Sequence, residues 1–264
     1  MLDLQHILSF YPEELQPFKT NILREYLQYK ILESVFRSKY GFRLSFMGGT
    51  CIHIIHGSPR FSEDLDFDNM GLTSEDFGDL AIRVKKDLQL EGYSVELTTK
   101  FNHAYHAYFL FPSILYESGL SGHKQQKMLI QIDTEPQDFE YNRHSVILNR
   151  FDVLCRIHTV PDDILLAQKF FCIMTRPRPM GRDFYDAVYL MGKTRTNLPY
   201  MQSKIGISNF KELKEKLLTR CAELDLEGLA ADVRPFLIKP GDIENVRLFP
   251  QVLSQHLDVN DYEE

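Results

Sequence analysis

The apolar and polar positions of this chain change period along its length. From Glu13 to Ser38, the residues Phe18, Ile22, Leu23, Tyr26, Leu27, Ile31, Leu32, Val35 and Phe36 recur at i, i+3 and i+4, which predicts an amphipathic helix. Phe42 to Met47 reads as a short buried strand, and Gly48-Gly49 turns the chain into a helix that runs to about His56 and stops at Gly57-Ser58-Pro59. A strand over Arg60 to Asp68 follows, then a helix capped by Thr73 or Ser74 that ends before Gly92. Beyond that point the period falls to two. Tyr93–Thr99, Ala104–Phe111 and Met128–Thr134 are strand-length and rich in β-branched and aromatic residues, and one or two more strands are expected within Ser145–Val160.

From Pro161 the pattern is helical throughout. Asp162 and Asp163 fall in the first turn of a helix, where they suit its dipole, and further helices are expected at Arg182–Gly192, Asn209–Glu223, Leu226–Ile238 and Ile243–Leu257. Mixed elements first and helices afterwards predict an α+β head over residues 1–160 and an all-α domain over 161–264.

Composition narrows the class. The chain has 264 residues, 44% of them hydrophobic and 25% charged, as expected of a protein with a sizeable core. A net charge of −7 argues against a dedicated non-specific nucleic-acid binder, though not against a local basic groove. No apolar run is long enough to span a bilayer, and Met1-Leu2-Asp3-Leu4-Gln5-His6 does not read as a signal peptide, so the cytoplasm is the expected location and no membrane partner is expected. Cys51, Cys155, Cys172 and Cys221 form no CxxC pair and read as reduced core residues. His53, His56, His103 and His106 lack acidic residues at ligand spacing and read as structural or surface positions.

The chemistry concentrates in two places. In the first, Met47-Gly48-Gly49-Thr50 precedes Arg60-Phe61-Ser62-Glu63-Asp64-Leu65-Asp66-Phe67. On an extended strand Asp64 and Asp66 share a face about 6–7 Å apart, an arrangement that favours a cation between them. Mg²⁺ takes oxygen ligands and leaves positions for substrate phosphates. Glycines let backbone approach a ligand, and the N–H groups that open the following helix form an anion site to which Thr50 adds a hydroxyl. Met128-Leu129-Ile130-Gln131-Ile132-Asp133 offers a third carboxylate from a neighbouring strand, so that Asp64, Asp66 and Asp133 could converge on two Mg²⁺ ions, with Mn²⁺ as an alternative. The plainer alternative for Asp133 is a solvated strand end.

The second place is Asp163-Ile164-Leu165-Leu166-Ala167-Gln168-Lys169 with Arg182-Asp183-Phe184-Tyr185-Asp186. Lys169 sits on an apolar stretch, where a charge is costly unless it is paired or bound to phosphate. From Lys169 to Arg195 there are six basic residues (with Arg176, Arg178, Arg182 and Lys193) against two acidic ones, a local net of +4 that suits a polyanion. The alternative is a salt bridge from Lys169 to Asp183 or Asp186 between two helices.

Taken together, Gly-Gly-Thr, Arg60-x-Ser62-x-Asp64-x-Asp66-Phe67, the Asp-x5-Lys helix ending on Lys169, and Arg182-Asp183-x-Tyr185-Asp186 resemble the AbiEii/AbiGii toxin family of nucleotidyltransferases, the MenT toxins and the wider DNA polymerase β-like superfamily. The resemblance spans about residues 15–195. It implies a nucleotidyltransferase-like mixed sheet with flanking helices, a helical C-terminal domain, and transfer of a nucleoside monophosphate from an NTP. It further implies a tRNA 3′ end as acceptor, or GTP binding, and a cognate antitoxin in a toxin–antitoxin or phage-defence system. Carried over by position, Asp64 and Asp66 would hold Mg²⁺, Lys169 would grip the triphosphate, and Asp183 would orient Lys169 or the substrate. Gly48, Gly49, Thr50, Arg60, Ser62, Arg182 and Asp186 would complete the nucleotide site, with Asp133 the candidate to take the acceptor's proton. Ser62 matches a serine that some relatives carry phosphorylated when silenced. The wider superfamily shows Gly-Ser where this chain has Gly49-Thr50, and Gln131 stands where some relatives have a basic residue.

Two rival expectations stand beside this one: a non-catalytic nucleotide- or partner-binding protein on the same fold, and a nucleotidyltransferase that modifies a protein or small molecule.

Overall fold

A computed structural model describes residues 2–258, so the last six residues of the expected helical domain, 259–264, lie outside the described part. The elements follow in the order α1 (Leu4–Leu8), α2 (Lys19–Arg37), β1 (Leu44–Met47), α3 (Gly48–Ile54), β2 (Leu65–Asn69), α4 (Ser74–Leu90), β3 (Glu96–Phe101), β4 (Tyr105–Phe111), α5 (Ile114–Glu117), β5 (Met128–Glu135), β6 (His144–Arg150) and β7 (Val153–Thr159). Helices α6 (Asp162–Thr175), α7 (Gly181–Met191), α8 (Leu198–Ile205), α9 (Phe210–Ala222), α10 (Leu226–Val233), α11 (Glu244–Arg247) and α12 (Phe249–His256) complete the described chain. By their contacts the residues form two compact units. One runs from the N-terminus to Cys51 with Phe61–Asp138 and Arg143–Val160; the other takes Ile52–Arg60, Phe139–Asn142 and everything from Pro161 onward.

The first unit is built on a seven-stranded mixed sheet of order β3-β4-β5-β2-β1-β7-β6. Strand β2 runs parallel to β5 and β1 parallel to β7, while the other neighbours are antiparallel. Alternation along each strand divides the sheet into two faces. Phe46, Phe67, Ala107, Phe109, Ile130, Ile132 and Ile157 are buried on one face, which packs against α2 and α4. Tyr26, Leu27, Ile31, Leu32 and Val35 of α2 are themselves fully buried, and each such aliphatic or aromatic side chain contributes about 1.5–3 kcal/mol. The opposite face carries Asp66 on β2, Gln131 and Asp133 on β5, and His106 and Tyr108 on β4, all half-buried. Helix α4 starts at a capping box in which the Thr73 hydroxyl accepts from the Asp76 N–H and the Asp76 carboxylate accepts from the Thr73 N–H.

Several boundaries differ from expectation for local reasons. Helix α2 begins at Lys19 and not Glu13, because Pro17 ends the preceding turns. The expected strand over Arg60–Asp68 exists only as Leu65–Asn69, and residues 61–64 approach it outside any ladder. The helix expected over Leu226–Ile238 stops at Val233, where Pro235 enters a 3₁₀ turn, and that over Ile243–Leu257 divides into α11 and α12. The 144–159 region is a hairpin turned at Phe151, whose positive φ of 57° is held by ring contacts to Tyr26, Tyr29 and Phe10.

In the second unit, α6 buries Ile164, Leu165, Leu166, Phe170 and Ile173, and α7 buries Phe184, Ala187 and Leu190. Phe249 of α12 packs edge-on to Phe184 at 5.0 Å. Gly181 lies so close to the Leu229 carbonyl of α10 that no side chain fits there. No described helix is long and apolar enough to cross a membrane.

Candidate active site

The first unit gathers the glycine turn and the carboxylates. Strand β1 ends at Met47, and Gly48 opens α3 with a positive φ of 77°. Met47 and Asp66 are cross-strand partners, so this turn lies directly beside the Asp66 side chain. A Cβ on Gly48 would overlap the Asp66 carboxylate, and only glycine permits both the approach and the backbone conformation. The Thr50 hydroxyl, which is fully buried, donates to the Asp64 carbonyl oxygen and ties the opening turn of α3 to the residue just before β2. That bond directs the hydroxyl to backbone. From the other side Gln28 of α2, almost completely buried, donates through Nε2 to the carbonyls of Ser62 (3.0 Å) and Glu63 (2.9 Å). The segment that delivers Asp64 is therefore held at both ends. Gln28 was not singled out in the sequence; a polar residue on the apolar face of α2 is the signal that could have found it.

Asp133 is the registered partner of Asp66 across the parallel β2–β5 ladder. Its carboxylate accepts from His106 Nδ1 at 2.6 Å and from Gln131 Nε2 at 2.7 and 2.9 Å. His106, read from sequence as structural or surface, is thus attached to a candidate site residue by the β4–β5 register. Among the described residues no three His, Cys, Asp or Glu side chains are gathered closely enough to hold a metal ion between them. A dyad of hard oxygen donors still fits Mg²⁺, which is bound by one or two carboxylates and completes its shell with water and substrate phosphates. The Asp66 carboxylate beside a turn that admits no side chain matches that requirement.

The second unit holds a buried charge cluster. Arg60 and Asp186, 1% and 0% exposed, form a bidentate pair with Nε–Oδ1 at 2.6 Å and Nη2–Oδ2 at 2.5 Å. Lys169, 11% exposed, lies 2.9 Å from Asp186 and 3.1 Å from Asp183, and Arg176 reaches Asp183 at 3.0 Å. Lys169 therefore contacts both of its candidate carboxylates. Burial works against its charge, but Asp186 and Asp183 outweigh that and hold the ammonium above the ordinary lysine range. Burial likewise opposes ionisation of Asp186, and Arg60 and Lys169 reverse it to leave the carboxyl below its usual range. Arg60, Lys169 and Arg176 thus converge on Asp183 and Asp186. Arg182 lies outside this cluster, stacked on Phe236 at 4.9 Å.

Of the remaining sequence candidates, the His53 ring bonds to the Ser58 carbonyl at 2.7 Å, and the His56 carbonyl accepts from Tyr189 and Lys193. All four cysteines are free thiols; burial pushes Cys155 up to about 11 and raises Cys51 as well.

The match of a nucleotidyl transferase family profile to most of the chain makes this mixed-sheet protein a nucleotidyltransferase. The chain belongs to the family described as nucleotidyl transferase AbiEii toxin, type IV toxin–antitoxin system, whose profile matches residues 30–250. Among solved structures it is similar to JHP933 from Helicobacter pylori, with a TM-score of 0.54 and 14% identity over 92% of this chain and 95% of that one. It is also similar to a candidate nucleotidyltransferase from H. pylori, with a TM-score of 0.56 and 14% identity over 93% and 98% of the two chains. At that identity the likeness concerns the fold. No curated protein matches the chain.

Proposed function

We propose that this protein is a Mg²⁺-dependent toxin that transfers a nucleoside monophosphate from an NTP to an RNA hydroxyl, the 3′ end of a tRNA, and that a cognate antitoxin and phage defence form its biological setting. The observation that carries the reading is the contact of Gly48 with Asp66, which sets the turn that opens α3 against the Asp66 carboxylate. Asp64 and Asp66 would hold Mg²⁺, which when bound neutralises phosphate charge and makes the attacking hydroxyl more acidic.

This chain's own residues then have separable tasks. The N–H groups at Gly48, Gly49 and Thr50 open α3 toward an anion, and the Thr50 hydroxyl fixes that turn to the Asp64 segment. Asp133, clamped by His106 and Gln131, presents its carboxylate in register with Asp66 to receive the acceptor's proton. Lys169, oriented by Asp183 and Asp186, is the cation assigned to the triphosphate, a role that suits a buried ammonium. Arg60 and Asp186 serve the nucleotide indirectly, by fixing Lys169, and Ser62 and Arg182 complete the expected contacts.

Incubating total RNA with each α-labelled NTP tests the proposal. Label on a tRNA-sized band is expected; label on protein alone would redirect the assignment to a protein-modifying nucleotidyltransferase.

A further inference from the structure

The sheet face that bears the carboxylates continues across β4 and β3. Register sets Asp66 beside Asp133, Asp133 beside His106 and His106 beside Lys100, so one row of side chains crosses four strands from the carboxylates to a lysine. One pleat along, Tyr108 stands between Gln131 and Thr98. The rings of His106 and Tyr108 lie side by side on this face, with centroids 6.3 Å apart and planes within 29° of each other. Lys100 places Nζ 5.3 Å from the centre of the Tyr108 ring. Both rings are half-buried, and the neighbouring Ala107 and Phe109 point into the core on the far side. Asp133 holds the His106 ring through Nδ1, so the floor is fixed before any ligand arrives.

We propose that this β3–β4 face is a stacking platform for single-stranded RNA, and that Tyr108 takes a base next to the reacting 3′ end while Lys100 attracts its phosphate. The proposal rests on the RNA-acceptor reading above. Two aromatic faces with a cation over one of them are the surface on which unpaired bases stack, and stacking of this kind tolerates any base. Strand spacing and pleat put Tyr108 about 12 Å from Asp66, within reach of the nucleotides that precede a reacting hydroxyl.

The side of the sheet also favours the acceptor over the NTP. In the order β4-β5-β2-β1, Tyr108 and the Gly48 turn flank Asp66 from opposite directions. Phosphoryl transfer brings the attacking oxygen in opposite the leaving group. With the triphosphate at the turn after β1, the attacking strand approaches over β5 and β4.

The test measures the affinity of the full chain for a short fluorescein-labelled single-stranded RNA with a 3′-deoxy end, and for Mg²⁺ with a non-hydrolysable NTP. Tyr108→Ala should weaken RNA binding about tenfold or more, Tyr108→Phe should bind like wild type, and NTP affinity should not change. Circular dichroism of each variant checks the fold. If Tyr108→Ala binds RNA as tightly as wild type while RNA labelling persists, the platform is overturned and the RNA reading stands. Loss of NTP affinity instead of RNA affinity overturns it too. If the wild-type protein neither binds nor labels RNA, the acceptor reading fails and the platform falls with it.

Discussion

Gly48 and Asp66 are in such close contact that the Asp66 carboxylate occupies the space a Cβ on Gly48 would need. The contact joins the end of β1 to the start of β2 and brings the opening turn of α3 to the Asp66 carboxylate. It also makes both residues sensitive to small changes.

Gly48→Ala should therefore fail in two ways. A φ of 77° is unfavourable for alanine, and its methyl group meets the Asp66 carboxylate. The expected loss is about 2 kcal/mol or more in urea denaturation, together with loss of transfer. Adding Asp66→Ala should recover part of the stability, since it removes the carboxylate from the overlap but leaves the close Cβ and the backbone strain. No recovery would mean that the two residues are not in contact.

Asp64→Ala with Asp66→Ala removes the two carboxylates proposed to hold the hard cation. Calorimetric titration with Mg²⁺ and a non-hydrolysable NTP should show affinity falling at least about tenfold. Unchanged heat and affinity would remove the metal from this strand.

The charge cluster separates structural from functional roles. Arg60→Ala strands the fully buried Asp186 carboxylate with Lys169 alone, and should cost about 3–5 kcal/mol. Lys169→Ala leaves Arg60 on Asp186 and Arg176 on Asp183, so its cost should be smaller, about 1–3 kcal/mol. Melting temperatures in that order, with transfer abolished in Lys169→Ala, fit a triphosphate ligand that is also held structurally. Full transfer by Lys169→Ala would leave the lysine a purely structural partner.

Acid should act on the same cluster. Asp186 has its carboxyl lowered in the folded protein, so its contribution is complete above the ordinary value of 3.8 and is lost as pH falls through the depressed one. Denaturation midpoints should therefore drop more steeply below about pH 4 in wild type than in Asp186→Asn, which is less stable throughout. Parallel curves would show that Asp186 does not titrate with folding.

Much of the architecture was legible because it follows from local periodicity. Thr73 marks the start of α4, Pro161 the start of α6, and the alternation through Met128–Thr134 the interior strand β5. Residues that act through register were not legible. His106 and His103 are three apart in sequence and look alike, but only His106 faces Asp133, and nothing local states which strand will pair with which. The same holds for Arg60, which reads as the first residue of an expected strand and a nucleotide-site cation until its bidentate partner 126 positions away is seen. Helix α1, only Leu4–Leu8, is too short to show a period.

The central claim is that the Asp66 strand transfers nucleotide to RNA, and the most direct measurement compares wild type with Asp66→Asn, an isosteric change that removes one negative charge. Both proteins, matched for fold by circular dichroism, are incubated with total RNA, Mg²⁺ and each α-labelled NTP. The account predicts a discrete labelled tRNA-sized band for wild type with at least one NTP, and none for Asp66→Asn. Equal labelling by both proteins, or no labelling by wild type with any of the four NTPs, would contradict it.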